Sequence, residues 1–265
     1  MDNLQIFILS IVQGFTEFLP ISSSAHLVLL PQLIGWSDQG LVFDVALHFG
    51  SLLAVVYYFR NEVGRMLKSW TRSICGGAPD QDSLLAWWVI IGTLPAIFVG
   101  FLLRGSIEQW LREPWILATA SIVFGLLLWF ADATAGRSRN EYQLGLKDVL
   151  IIGCCQVLAL IPGTSRSGIT ITLGLFLGLT RQAAARFSFL LAMPVIFASG
   201  VLQTVRMFTE VNPIGWFELL LGVILSAISA ALCIHFFLRL VERLGMLPFV
   251  IYRVLLGLAI FALLI

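Results

Sequence analysis

Apolar residues run along this chain in long blocks broken by short polar segments, and the block lengths predict the architecture. A membrane-spanning helix needs about 20 mostly apolar residues. Six stretches come close to that: 43–59, 84–103, 115–130, 187–205, 216–238 and 249–265. Two further apolar regions are interrupted. Leu4 to Ile34 is broken by Glu17, Pro20 and Ser22-Ser23-Ser24, and Val149 to Leu179 by Pro162-Gly163-Thr164-Ser165-Arg166-Ser167-Gly168. Each reads as a helix, a polar loop and a second helix. Irregular backbone at membrane depth is tolerated only inside protein or against a wet cavity. Both regions are therefore expected to be re-entrant hairpins that enter and leave on the same side.

The two interrupted regions are similar. Pro20-Ile21-Ser22-Ser23-Ser24 resembles Pro162-Gly163-Thr164-Ser165-Arg166-Ser167, with Gln13 and Gln156 preceding the two loops. Phe43-Asp44-Val45-Ala46-Leu47 pairs with Phe187-Ser188-Phe189-Leu190-Leu191, and Pro114-Trp115-Ile116 with Pro248-Phe249-Val250. The near-constant spacing predicts one duplicated unit, about 1–135 and about 145–265, within a single membrane domain spanning 1–265. Each unit would hold one hairpin and three spans. Three is odd, so the second unit would lie upside down relative to the first. The expected fold class is thus an all-α integral membrane protein with an inverted-topology repeat, the hairpin tips meeting near the midplane.

Composition agrees. Of 265 residues, 59% are hydrophobic and only 12% charged, against about 25% charged in an ordinary soluble domain. Mean hydropathy is +0.96. This excludes a typical cytosolic enzyme and a disordered chain, and a net charge of +1 without a basic face argues against nucleic acid. The N-terminus lacks a basic start, and Gln13, Glu17 and Ser22 to Ser24 interrupt its apolar stretch, which argues against a cleaved signal peptide. Cys75, Cys154, Cys155 and Cys233 have no metal-type spacing and read as small buried thiols.

Charge also orients the chain. Loops assigned to the side opposite the N-terminus hold eleven basic residues: Arg60, Arg65, Lys68, Arg72, Arg137, Arg139, Lys147, Arg181, Arg186, Arg239 and Arg243. Loops on the N-terminal side hold three, Arg104, Arg112 and Arg206. The positive-inside rule then makes the first side cytoplasmic. Both termini and the mouth of the first hairpin would face outward.

Ionisable groups within lipid cost about 2.5–3.5 kcal/mol each, so those in the hairpins point to a polar pocket. Arg166 offers a planar fork of donors that suits phosphate oxygens. Ser165, Ser167, Gly163 and Gly168 surround it, and a helix expected to start near Ile169 would aim its positive end at the same spot. The alternative is a helix-packing loop with Arg166 paired to Glu17. On the first hairpin, Gln13 and Glu17 are spaced i, i+4 and share a face. They could bind a divalent cation, or Glu17 could act as a general base. Ser23 is a candidate nucleophile activated by His26 or Glu17. At least one of Ser22, Ser23 and Ser24 is expected to cap the helix carrying His26. His48, one turn from Asp44, reads as a packing residue that could instead face the pocket. His235 and Arg253 lie in late helices without polar company and read as satisfied buried or interfacial groups, and Gly174 and Gly178 form a small-xxx-small helix contact.

Gln13-Gly14-Phe15-Thr16-Glu17-Phe18-Leu19-Pro20-Ile21-Ser22-Ser23-Ser24-Ala25-His26 resembles the first signature of the undecaprenyl-diphosphate phosphatase family, the bacitracin-resistance proteins. Pro162 to Thr170 is similar to its second signature, and the likeness continues through Phe187 to Ala192 and Pro248 to Arg253. The resemblance implies a phosphatase of the bacterial plasma membrane that converts undecaprenyl diphosphate to undecaprenyl phosphate and phosphate. That reaction recycles the lipid carrier of peptidoglycan synthesis and relieves bacitracin. The resemblance also implies dependence on Mg²⁺ or Ca²⁺. By position, Glu17 matches the family's essential acid, His26 its histidine and Arg166 its phosphate-binding arginine. Ser22, Ser23, Ser24, Gly163, Ser165, Ser167 and Thr170 fall among the residues expected to act on or bind the substrate. Many members have Glu where this chain has Gln13, which weakens a two-carboxylate metal site. The partners implied are a polyprenyl diphosphate and membrane lipid. The nucleophile is open between Ser23, His26 and water. A secondary transporter or flippase of phosphate or prenyl phosphate lipid is the alternative, since broken helices at the midplane also mark transporters.

Overall fold

The computed structural model describes residues 2–110, 113–207 and 215–264. Helices α1 (Asn3–Phe18) and α2 (Ser23–Ile34) form the first interrupted region. They are followed by α3 (Leu41–Tyr58), α4 (Arg60–Ile74), α5 (Gln81–Trp110) and α6 (Pro114–Thr134). The second region is α7 (Leu146–Gln156), a short 3₁₀ turn and α8 (Arg166–Phe176), and α9 (Arg181–Met207), α10 (Trp216–Leu244) and α11 (Leu247–Leu264) complete the chain. No strand is present among the described residues. Among the described residues, five helices are long and apolar enough to cross a membrane: α3, α5, α6, α9 and α10. The sixth expected span, α11, is apolar but shorter. The protein is an all-α, multi-pass membrane protein.

Both interrupted regions fold back on themselves. In the first, the Gln5 side-chain amide donates to the Ser37 carbonyl at 2.9 Å, which brings the start of α1 to the end of α2. In the second, Arg139 donates to the Leu177 carbonyl at 2.8 Å and to Asp148 Oδ2 at 2.5 Å, joining the end of α8 to the start of α7. Helix α1 packs on α10 and α7 on α5. Small residues permit both approaches. A Cβ on Gly14 would come within 2.5 Å of the Ser226 carbonyl, and one on Gly153 within 2.6 Å of the Gly92 carbonyl.

Arg60, Arg65, Lys68 and Arg72 do not lie in a loop, as the hydropathy pattern suggested. They ride the exposed face of α4, whose inner face buries Glu62 and Met66. Arg186 at the start of α9 bonds Glu62 Oε2 at 2.5 Å and Glu141 Oε1 at 2.7 Å. Burial pushes the Glu62 carboxyl above its ordinary range, with Arg186 pulling the other way. Arg181 grips Asp132 with two bonds of 2.6 and 2.9 Å, and the Met246 amide donates to the same carboxylate at 3.1 Å. These pairs gather α4, the end of α6 and the starts of α9 and α11 at one end of the bundle. Most of the eleven basic residues assigned to one side are found there. Arg112 lies outside the described residues.

Two expectations about small residues fail. Only Cys233 is buried, whereas Cys75 and Cys154 are exposed and Cys155 is half-buried. An apolar run in a membrane protein has a lipid-facing side as apolar as its core, so burial does not follow from composition. Gly174 does pack closely, its missing Cβ standing 3.0 Å from Ala184 Cβ. Gly178, however, lies beyond α8 in a left-handed turn (φ +84°), so the pair does not form one helix face.

Candidate active site

The site is built where the two hairpin tips meet. Helix α1 ends at Phe18, Leu19 to Ser22 form the first loop, and α2 starts at Ser23. Ile161 to Ser165 form the second loop and α8 starts at Arg166, three residues earlier than the sequence suggested. The cause is Ser165, whose hydroxyl accepts from the Gly168 amide at 3.1 Å and so caps the helix before its polar first turn. The two loops share an unusual feature. Ser22 (φ +72°) and Ser165 (φ +69°) both hold positive φ immediately before a helix. Non-glycine residues rarely adopt that geometry, and where they do the strain tends to mark functional sites. The capping expectation fails for the first loop, where Ser22 has no side-chain cap bond. Its hydroxyl instead lies 3.2 Å from that of Ser24.

Glu17 is the hub. Arg166 Nη2 donates to Oε1 at 2.7 Å. Oε2 accepts from the Ser23 hydroxyl at 2.7 Å and from the Gln13 amide at 2.9 Å. His48 Nε2 stands 3.6 Å from Oε2, while its Nδ1 is 2.7 Å from the Asp44 carbonyl. Thus His48 faces the Glu17 carboxylate, contrary to the packing role expected for it. Glu17 and Arg166 are both largely buried. Four helices converge on one carboxylate: Gln13 and Glu17 come from α1, Ser23 from α2, His48 from α3 and Arg166 from α8.

The other expected site residues divide into two groups. Ser167 donates to the Leu19 carbonyl at 2.8 Å and so joins the loops directly. Its hydroxyl is also 3.1 Å from that of Ser165. Ser23 and Ser24 remain accessible. Thr170, by contrast, is turned into helix packing, with its hydroxyl 2.9 Å from the Arg166 carbonyl and 2.7 Å from the Ser188 hydroxyl. Gly163 (φ +92°) is needed for a close approach to α6, since a Cβ there would meet the Leu117 carbonyl at 2.5 Å.

His26 does not pair with Ser23. Its Nδ1 is 2.7 Å from the Ser22 carbonyl, and its Nε2 is 2.5 Å from the Tyr252 hydroxyl. A carbonyl can only accept, so Nδ1 carries the proton. In the neutral ring, Nε2 then accepts from Tyr252. The two rings also stack, 5.6 Å apart and 9° from parallel. Side-chain patterning assigns no role to Tyr252, although it lies within the Pro248 to Arg253 motif. The signal that could have found it is its adjacency to an intramembrane arginine.

That arginine is the satisfied buried group expected of it, with partners the sequence did not name. Arg253 lacks polar company in the sequence, yet it is fully buried and bonded throughout. Its guanidinium donates to the carbonyls of Ser121, Pro20, Ala120, Gly163 and Thr164, at 2.8 to 3.4 Å. The partners are backbone atoms, which leave no mark in a side-chain pattern. His235, as expected, stands against aromatic neighbours, Tyr58 and Phe236.

Among the described residues, protein groups alone do not complete a divalent-cation site. Ca²⁺ takes six to eight oxygen ligands, whereas Mg²⁺ keeps several waters and is usually bound by one or two carboxylates together with substrate phosphates. Here the Gln13 amide N–H donates to Glu17, and the buried Gln13 Oε1 has no hydrogen-bond partner. Glu17 already answers a guanidinium, an amide and a hydroxyl. No group of three or more His, Cys, Asp or Glu side chains able to hold a metal occurs among the described residues.

The fold and site define a class: multi-pass membrane proteins whose polar centre is assembled by two folded-back hairpins. Residues 6–259 match the family described as bacitracin resistance protein BacA. The chain is 57% identical over 260 residues to undecaprenyl-diphosphatase 2 of Stutzerimonas stutzeri, covering 97% of this chain and 96% of that one. It is 55% identical over 257 residues to undecaprenyl-diphosphatase 1 of Pseudoalteromonas translucida, covering 97% of each, and 54% identical to an undecaprenyl-diphosphatase of Alteromonas mediterranea over 97% of each. The chain belongs to the BacA family.

Proposed function

We propose that this chain is an undecaprenyl-diphosphatase that releases phosphate from undecaprenyl diphosphate and leaves undecaprenyl phosphate. The observation that carries the chemistry is the single Glu17 carboxylate bonded at once to the Ser23 hydroxyl and to Arg166, each at 2.7 Å. Ser23 is the nucleophile and Glu17 its base. The Ser23 oxygen attacks the terminal phosphorus while its proton passes to Glu17. The bond from phosphorus to the bridging oxygen breaks, and undecaprenyl phosphate leaves as an anion that needs no proton. Charge spreads over the equatorial oxygens of the transferred group. Arg166 and the first-turn amides of α8 stabilise it, and such preorganised donors are usually the largest contribution to catalysis. Water then attacks the phosphoserine phosphorus, the bond to the Ser23 oxygen breaks as Glu17 returns its proton to that oxygen, and inorganic phosphate leaves carrying the protons of the water. His26 is not this base, because its free ring nitrogen is held by Tyr252. No residue of the chain is assigned to a divalent cation.

Phosphate release from a long-chain prenyl diphosphate by the purified protein tests this reading. A reaction quenched early should carry phosphate on Ser23, and Ser23→Ala should lose both the adduct and turnover. An adduct on His26, or full turnover in Ser23→Ala, would reassign the nucleophile. Absence of release would remove the phosphatase reading.

We further propose that the two halves form an inverted repeat in the bacterial plasma membrane, with the site opening outward. Two observations support it. The hairpins exchange partners, α1 packing on α10 and α7 on α5. The basic residues also gather at the end of the bundle to which positive-inside logic assigns the cytoplasm. Cys75 is exposed just beyond α4, at that same end. A membrane-impermeant maleimide should leave it unlabelled in intact cells and label it in inside-out vesicles. The opposite pattern would reverse the orientation.

A further inference from the structure

Five backbone carbonyls from three separate stretches of chain converge on the side chain of Arg253, and none of its described partners is a carboxylate. A guanidinium has five N–H donors. Here Nε faces the Ser121 carbonyl of α6 at 3.2 Å, Nη1 that of Pro20 in the first loop at 3.3 Å, and Nη2 those of Gly163 and Thr164 in the second loop, both at 2.8 Å. A buried charge of this kind is costly, and an apolar side chain of similar volume often fills such a space at no loss of stability. The arrangement therefore does something that packing alone does not require.

We propose that Arg253 is a positioning residue of the catalytic centre: it sets the separation of the two loops and the orientation of the second-loop peptides that receive the phosphate. This rests on the phosphatase reading above. Arg253 is fully buried and bonds none of Glu17, Ser23 and Arg166, so it acts through backbone. Pro20 lies three residues after Glu17 and three before Ser23. Thr164 lies two before Arg166. One planar group thus ties the segment that carries base and nucleophile to the segment that carries the phosphate fork.

Peptide geometry explains the orienting effect. In a trans peptide the carbonyl and N–H point in opposite directions. Holding the Thr164 carbonyl on Arg253 turns the Ser165 amide away from it, toward the start of α8. The positive φ of Ser165 persists only if its surroundings over-determine it. Arg253 holds the residues before it, and the Ser165 hydroxyl bond to the Gly168 amide holds the residues after it. Gly168 leaves the necessary room, since a Cβ there would stand 2.7 Å from Arg253 Nη1.

Arg253→Met, Arg253→Lys and Gly168→Ala, each assayed for kcat, KM and melting midpoint beside the parent protein, test this. Met keeps volume, and Lys keeps charge with fewer donors. Positioning through the carbonyls predicts that Arg253→Met loses about 100-fold in kcat with KM within about threefold, since mispositioned transition-state donors cost kcat rather than binding. Arg253→Lys should recover part of that loss. A space-filling role predicts the reverse order, with Met at least as active as Lys. Parental kcat in Arg253→Met overturns the proposal. If that variant does not fold, Gly168→Ala decides, because it keeps the arginine and crowds its Nη1. A kcat about tenfold lower at unchanged KM and melting midpoint supports the proposal, and parental kcat overturns it. A parent protein that releases no phosphate overturns the phosphatase reading and this proposal with it. An active parent beside an equally active Arg253→Met overturns the proposal alone.

Discussion

Glu17→Gln should reduce phosphate release from a prenyl diphosphate by about 10³-fold or more. Two effects combine. The amide cannot take the proton of Ser23, and a positioned base contributes about 10² to 10⁴ in rate. The substitution also removes the negative partner of Arg166, whose Nη2 lies 2.7 Å from Oε1. Breaking one side of a buried ion pair typically costs about 3–5 kcal/mol, so the melting midpoint should fall as well. Gln13 would then face a second side-chain amide across the 2.9 Å that now separates its own from a carboxylate. Single-turnover rates measured on folded protein separate the two effects. A rate within about tenfold of the parent would remove Glu17 from the role of base.

Arg166→Lys should lower kcat by about 10²- to 10³-fold, since one preorganised donor to a developing oxyanion accounts for about 2.7–4 kcal/mol. The charge is kept, so any large loss must come from shape. An ammonium is a compact point charge, whereas the guanidinium presents its donors in a fixed plane. One end of that plane reaches Glu17, and Nη1 lies 3.4 Å from the Ser188 carbonyl. The anchoring explains why the effect should fall on kcat more than on KM: the fork is held ready for the transition state, and a lysine at the N-terminus of α8 is not. Steady-state kinetics with the same prenyl diphosphate decide the matter, and near-parental kcat would show that charge alone suffices.

The membrane architecture was legible because lipid imposes a simple length rule on apolar blocks. The interruptions at Ser22 to Ser24 and at Pro162 to Gly168 were legible for the same reason, as polar backbone in lipid must be sheltered. The meeting of Glu17 with Arg166 follows from charge: each is isolated in an apolar stretch and each needs a partner. Other features had no such signature. Arg253 looked solitary because its partners are carbonyls, which every residue possesses. His48 looked like packing because its distance to Glu17 depends on how α3 sits against α1, not on spacing within α3. The serines of the first loop looked like caps because capping chemistry is written in side chains, whereas the Ser22 hydroxyl lies against that of Ser24 instead. Helix α4 looked like a loop because its mean hydropathy is low, although its buried face is intact.

The pairing of residues 17 and 166 has a consequence for how the protein is made. The partners are 149 residues apart in sequence. A nascent chain that has left the ribosome only as far as α7 carries the Glu17 carboxylate without its guanidinium. An unpaired acid in lipid costs about 2.5–3.5 kcal/mol on insertion scales, so the first hairpin has little reason to settle in the bilayer until α8 is synthesised. The expected order of insertion is therefore not strictly N-to-C: the first hairpin should settle fully only once α8 has been made.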